Sequence, residues 1–462
     1  MTPERMEAVI VPQRCVLVLP STGAFDSRTY RIASTLVARG HEVTVVARLG
    51  PGLAADERHA AGYRILRVAV SAADGLPRPL RGIVRRIRRP ARPSIRREIP
   101  ADGAPAAGAG HPVAPPDSLG GGRVRRAFGR VARLESSAWR LAAIGLTVRS
   151  QTRRTRAVAP PADLVHAMAY MGIPVGLAVG RRDGAAVIYD ARDIYVDAAN
   201  LARQPRLARA IFGRVERRWA NLASRVITVN RPYAAVMADR FGVPSPLVVL
   251  NCSYRQVGPA SRLRRLHDAL GLADDAVVVL YHGGLSPDRG IEQLIDGLPL
   301  LPAGAHLVLM GYGVLEDRLR TRAADPRLAG RLHILPAVPP TDLLEWVGSA
   351  DVAAMPIQPS TLNHRLTTPN KLFEAMAAGV PIVASDLPGM APIVRETGAG
   401  LVVDPTDPVA LAGSIRRIIE MPSNERSAMA ERGRAAHLAT YNWESQADLL
   451  LAEYGRLTGH PW

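Results

Sequence analysis

Lysine is almost missing from this chain: of 59 basic side chains, only Lys371 is not an arginine. Cysteine occurs twice, as Cys15 and Cys252, far apart and each in an apolar setting. Two such residues make neither a disulfide framework nor a cysteine metal site, and a reducing compartment is the expectation. Aromatic residues amount to 5% of the chain, which leaves little for stacking on nucleic-acid bases. No apolar run approaches the roughly 18–20 residues that a bilayer-spanning helix needs. The first residues lack the charged start and unbroken apolar stretch of a secretory signal. No D-x-D carboxylate pair is present, so that short motif for clamping a metal ion is not offered. These absences predict a cytoplasmic protein with no cofactor and no bound metal.

What is present is a large apolar complement. The 462 residues are 47% hydrophobic, enough for two cores of roughly 200 residues each. The net charge of +18 is concentrated: residues 76–160 hold nineteen arginines against Glu98, Asp102, Asp117 and Glu135. That segment alone carries +15, so the rest of the chain is close to neutral and the overall charge is no nucleic-acid signal. Residues 77–100 are rich in arginine and proline, and 101–122 in alanine, glycine and proline, compositions that bury no core. Residues 124–147 read as a basic amphipathic helix with Phe128, Val131, Leu134, Trp139 and Ile144 on one side. Two readings stand for 76–160, a solvated linker without a role and a segment that meets an anionic membrane surface; a nucleic-acid arm ranks below both, since only Phe128 and Trp139 could stack on bases.

Outside that insertion, short apolar runs alternate with helical patterns twice over, the mark of parallel α/β domains. Strands are expected at 15–19, 43–47, 65–70, 164–167, 186–189, 226–229 and 247–250. The pattern restarts with strands at 276–281, 305–310, 332–335, 352–355 and 382–384. Helices are expected at 27–39, 198–224, 232–241, 290–298, 314–323, 341–347, 370–378 and 408–420. The expected organisation is a first Rossmann-like domain over 1–255, a second over 256–440, and a terminal helix over 441–462 that packs back on the first.

Three blocks carry chemistry. Tyr281-His282-Gly283-Gly284-Leu285-Ser286 ends a strand, and Arg289-Gly290-Ile291 opens the next helix. Gly283 and Gly284 let a ligand approach the backbone, and Arg289 beside a helix start suits a diphosphate. Gly311-Tyr312-Gly313 stands at the next strand end. In Thr368-Pro369-Asn370-Lys371-Leu372-Phe373-Glu374, Pro369 is placed to start a helix and Lys371 and Glu374 share a face. Keeping the single lysine there implies a task for a compact ammonium that a guanidinium fork would not perform.

The order of these blocks resembles the family-4 retaining glycosyltransferases of the GT-B fold, glycosyl transferases group 1. The similarity extends over Phe25-Asp26-Ser27-Arg28, Tyr189-Asp190-Ala191-Arg192-Asp193 and Tyr441-Asn442-Trp443-Glu444. It implies two facing, doubly wound Rossmann-like domains with a cleft between them, and transfer of a sugar from a nucleotide-diphosphate donor to an unidentified acceptor. The resemblance implies that Arg289, Lys371 and Glu374 are the catalytic set: Arg289 on the diphosphate, Glu374 on the ribose, Lys371 on phosphate or sugar. Gly283, Gly284, Gly311, Gly313, Asn363 and Asn370 complete the donor side. Asp26, Arg28, His166, Arg192 and Asp193 are the acceptor-side candidates.

The chain departs from the family pattern at three places. Gly284 replaces the arginine of the Gly-Arg-Leu block, and Leu366 replaces the carboxylate eight positions before Glu374, with Asn363 or His364 as substitutes. Met168 stands where the acceptor-facing histidine would be. Two other readings therefore stay open: an inert binding protein that uses its basic insertion on membrane or nucleic acid, and a nucleotide-sugar 2-epimerase. A lipid-linked or polysaccharide acceptor, and peripheral attachment at the inner face of the cell membrane, complete the expectation.

Overall fold

The computed structural model describes residues 11–24, 26–75, 142–256, 263–328 and 330–462. The chain forms two compact units, one of residues 1–228, 234–247 and 449–462, the other of 229–233 and 248–448.

The first unit is built on an eight-stranded sheet ordered β3-β4-β2-β1-β5-β6-β7-β8. Its strands are β1 (Arg14–Val18), β2 (Glu42–Arg48), β3 (Asp56–Arg58), β4 (Arg64–Val68), β5 (Leu164–Met168), β6 (Ala186–Ala191), β7 (Arg225–Thr228) and β8 (Leu247–Val248). The pairings of β4, β2, β1, β5, β6 and β7 are parallel, and β3 runs antiparallel against β4. All five residues of β5 are buried, as a central parallel strand covered on both faces requires. The helix Ala169–Asp183 lies close on this sheet. A Cβ on Gly176 would come within 2.6 Å of the Ala167 Cβ, and one on Gly180 within 2.3 Å of Val187.

The second unit holds a six-stranded, all-parallel sheet ordered β11-β10-β9-β12-β13-β14. Its strands are β9 (Val277–Gly284), β10 (Ala305–Tyr312), β11 (Leu332–Leu335), β12 (Val352–Met355), β13 (Ile382–Ser385) and β14 (Gly400–Val403). In both sheets the order reverses once, between β1 and β5 and between β9 and β12. Crevices form at such reversals, outside the carboxyl ends of the strands.

Several expectations needed correction. The helix expected over 198–224 is two helices, Ala199–Ala202 and Arg206–Ala220, because Pro205 cannot donate to a continuing helix. β3, β14 and the helices Arg265–Leu270, Ala391–Thr397 and Ser423–Ala439 were absent from the sequence reading. The basic segment expected to stand apart through residue 160 is folded from residue 142 onward. Residues 142–158 are helical, Ser150, Gln151 and Thr155 are buried, and the Gln151 amide donates to the Leu19 carbonyl at 2.7 Å. Residues 76–141, including most of the amphipathic stretch expected at 124–147, lie outside the described residues. The terminal helix is Trp443–Thr458, and from Leu449 on it belongs to the first unit.

Candidate functional site

In the second unit, β9 and β10 run in register so that Gly311 lies beside Gly283 and Tyr312 beside Gly284. This pairing explains the glycines: a Cβ on Gly311 would stand 1.9 Å from the Gly283 carbonyl oxygen. A Cβ on Gly313 would stand 2.1 Å from that of Leu285. The loop after β9 is fastened to the loop after β12. Gly290, at φ 75°, abuts the Pro356 carbonyl, and the Gln358 amide donates to Asp288 O at 3.0 Å. Asp288 itself adopts φ 66°, a conformation rare outside glycine and held here by that junction.

The helix Asn370–Ala378 begins behind Pro369, whose ring presets its φ, and stops at Gly379 in the left-handed conformation. Its first turn places Lys371 against β9. The ammonium lies 3.6 Å from the centroid of the Tyr281 ring, and a Cβ added to Gly283 would come within 3.5 Å of Nζ. A cation over an aromatic face is a favourable contact that still leaves hydrogen-bond donors for a ligand. Burial, reinforced by the nearby Arg289 charge and opposed by Glu374, holds the half-buried Lys371 ammonium well below the usual lysine range. The Tyr281 hydroxyl donates to Gly284 O at 2.9 Å, and burial pushes that phenol up. One turn further along the helix, Glu374 Oε2 meets His282 Nε2 at 2.9 Å. Lys371, Glu374, Tyr281, His282 and Gly283 thus gather at the carboxyl end of β9.

Arg289 reaches the Ser286 hydroxyl through Nε at 3.4 Å. A groove of about 480 Å3 beside it is lined by Ser286, Arg289, Gln293, Arg318, Gln358 and Ser360, whereas Lys371 and Glu374 are not part of that lining. Asn370 accepts from the Asn251 side chain at 3.0 Å. Asn363 is buried, and its carbonyl accepts from the Tyr233 hydroxyl at 2.8 Å. His364 shares a hydrogen bond with Ser360 at 2.9 Å, and burial and Arg289 both lower its pKa. The segment leading into the helix is clamped: Asn230 donates to Leu366 O at 2.8 Å, and Thr368 donates to Gly389 O. Leu366 therefore contributes a half-buried apolar side chain and a fixed backbone, not a carboxylate.

The first unit splits its candidates into two groups. Arg28 and His166 are buried and share one carboxylate: Arg28 Nε donates to Asp190 Oδ2 at 2.6 Å, and His166 Nε2 lies 3.2 Å from the same oxygen. The other His166 nitrogen meets the Tyr454 hydroxyl at 2.6 Å. Burial works against ionised Asp190, but Arg28, His166 and Arg192 outweigh it and hold the carboxyl below its ordinary value. Burial lowers the His166 pKa more than Asp190 raises it. Asp26, Arg192 and Asp193 are only partly covered. Arg192 donates to Asp26 Oδ1 at 2.7 Å, while Asp26 caps the helix Ser27–Ala38 by accepting from the Thr29 amide at 3.0 Å. Sequence reasoning did not single out Tyr281, His282, Asp190 or Tyr454. His282 and Tyr281 stand inside a quoted block, but only the strand register shows which of its side chains face Lys371 and Glu374.

Among the described residues, no group of three or more His, Cys, Asp or Glu is arranged to hold a metal ion. None of their helices is long and apolar enough to cross a membrane. With this geometry in hand, residues 264–436 match the family described as glycosyl transferases group 1. The match covers most of the second unit and none of the first. Known relatives include the D-inositol 3-phosphate glycosyltransferase of Acidothermus cellulolyticus, 27% identical over 63% of this chain and 66% of its own length. The enzyme of that name from Mycobacterium marinum is 29% identical over 41% of each chain. The chain thus spans less than two thirds of the length of these relatives. Among solved structures, sucrose-phosphate synthase from Thermosynechococcus elongatus aligns with a TM-score of 0.67 at 18% identity, over 97% of this chain and 99% of that one. Anabaena HepE in complex with UDP aligns at 0.64 and 17% identity, over 96% and 100%. The fold of the chain is GT-B, with two Rossmann-like sheets.

Proposed function

We propose that the protein transfers a sugar from a nucleotide-diphosphate donor to a hydroxyl acceptor. The observation that carries this reading is the Lys371 ammonium held over Tyr281 and against Gly283, in the same crevice as Glu374 on His282. When the bond between the anomeric carbon and the diphosphate oxygen breaks, negative charge collects on the leaving diphosphate. In this reading Lys371 and Arg289 stabilise it without a metal. Glu374, fixed by His282, is suited to accept hydrogen bonds from ribose hydroxyls. Retention of configuration and metal independence belong to this proposal, and family resemblance supports them.

The solved HepE complexes contain UDP, UDP and glucose, or UDP-glucose, which supports a uridine donor as the first to try. The relatives' names support a cyclitol phosphate among the acceptors to test. The described neighbour WaaG, a glycosyltransferase involved in lipopolysaccharide biosynthesis, supports including lipid-linked acceptors. Asp26, Arg192 and Asp193 are the acceptor-side residues of choice, with the buried Arg28–Asp190–His166 network supporting them from inside. The part of the basic segment before the folded helix, residues 76–141, is proposed to meet an anionic membrane surface.

Thermal denaturation against UDP, GDP and their sugars tests the donor. A ligand at about 100 times its dissociation constant stabilises its site by about 2.7 kcal/mol. No shift with any nucleotide diphosphate or nucleotide sugar would sink the reading, and conversion of the donor to an epimer without acceptor would replace it.

A further inference from the structure

The helix Arg206–Ala220 buries one face, formed by Ala208, Phe212, Glu216 and Ala220. Phe212 packs edge-on against Tyr170 with ring centroids 4.8 Å apart. Glu216 accepts from the buried Tyr189 hydroxyl at 2.6 Å, and burial raises its pKa to about 7. A helix with one packed face normally turns a polar face to water. Here Leu207, Ile211 and Val215 recur every fourth residue on the outer side, 67%, 45% and 38% exposed. Leu222, just past the helix end, continues the ridge at 47%.

Arginines border this ridge. Arg206, Arg214, Arg217 and Arg218 are exposed, and the helix's one acid, Glu216, is turned inward. Among the described residues, Arg214, Arg217 and Arg218 form no ion pair with a carboxylate, whereas Arg209 and Arg240 both hold Asp197. Alongside lies a cavity of about 350 Å3 whose lining includes Arg214, Arg217 and Arg240, the one carboxyl of Glu216, and apolar Met237 and Phe241. An apolar ridge flanked by unpaired guanidiniums, with a basic recess at its side, has the chemistry of a lipid interface. Nucleic acid would find the cations but no partner for the ridge. A second copy docking symmetrically on the ridge would bring two sets of arginines together.

We propose that this face seats the first unit on an anionic phospholipid surface. The ridge enters the headgroup–acyl boundary, and Arg214, Arg217 and Arg218 meet lipid phosphates. The inference does not depend on donor binding, and it uses an element separate from residues 76–141.

Co-sedimentation of the full chain with phosphatidylcholine vesicles, and with vesicles enriched in phosphatidylglycerol, tests it. Binding is expected to the anionic vesicles and to fall with salt. The variant L207S/I211S should lower the partition coefficient by at least about tenfold, since two exposed apolar side chains lose their burial in lipid. R214Q/R218Q should lower it by about fivefold per arginine, equivalent to about 1 kcal/mol each. Both variants should keep the wild-type melting temperature and its shift with UDP, which separates failure here from failure of the donor site. A chain lacking 76–141 should retain binding that still depends on Leu207 and Ile211. The proposal falls if the ridge variant binds like wild type, or if the full chain ignores anionic vesicles at low salt. It falls equally if removing 76–141 abolishes all binding. A wild-type dimer that the ridge variant converts to monomer would make this face a subunit contact, and nucleic-acid binding through the same arginines without vesicle binding would reassign it.

Discussion

Lys371 shows why a chain so rich in arginine keeps one lysine. A compact ammonium fits between the Tyr281 ring and the Gly283 backbone, where a planar guanidinium with its fixed fork would need more room. Its pKa is depressed by burial and by Arg289, and an arriving diphosphate raises it again. A group whose pKa rises on binding takes up a proton, so donor affinity is highest below the ligand-free value and declines as pH rises through it. Calorimetry in buffers of different ionisation enthalpy should register that uptake for the wild type and not for Lys371→Met. The same substitution should abolish the shift with UDP without lowering the ligand-free melting temperature, because it removes a half-buried charge. Glu374→Gln should weaken UDP about 10- to 100-fold, the range of a charge-assisted contact worth about 1.5–3 kcal/mol. Unchanged UDP affinity in both variants, measured by titration calorimetry, would remove this site.

The elements of the first unit are tied by a buried carboxylate. Asp190 on β6 receives Arg28 from the helix Ser27–Ala38 and touches His166 on β5, which in turn meets Tyr454 on the terminal helix. Replacing Asp190 by Asn would leave Arg28 charged and buried without its counter-ion, and losses of this kind cost about 3–5 kcal/mol. The folded pKa of Asp190 lies below its unfolded value of about 3.9. Its stabilisation is therefore complete above the unfolded value and is lost as pH falls through the folded one. Denaturant melts at pH 7 should show the full loss in Asp190→Asn, with the gap to wild type closing in strong acid. In the second unit the β9–β10 register makes a different demand. Gly311→Ala would drive a methyl into the Gly283 carbonyl, so it should destabilise the protein or force the two strands apart where Lys371 reaches them. A Gly311→Ala protein with wild-type stability and UDP affinity would show that the close approach is dispensable.

At the scale of the molecule, the proposed function rests donor chemistry on side chains of the second unit without a metal. UDP binding and turnover should therefore survive a chelator, and full loss that magnesium restores would contradict the mechanism. The sequence by itself determined the two mainly parallel sheets, because apolar runs such as 277–280, three valines and a leucine, alternate with helical periodicity. It also determined the helix that begins after Pro369, since proline presets that turn, and it marked Lys371 by composition alone. Short elements were illegible: β14 is four residues that begin with a glycine whose Cβ would collide with the Ile382 carbonyl, so pairing with β13, not local propensity, makes it a strand. Tertiary structure decided the partners. Arg28 and Asp190 are 162 positions apart and His166 and Tyr454 are 288 apart, separations at which no local pattern reports contact. It also decided which amphipathic helix leaves an apolar ridge uncovered. Periodicity tells that a helix has two faces, but only the packed sheet shows that Phe212 and Glu216 go inward and Leu207 and Ile211 stay out.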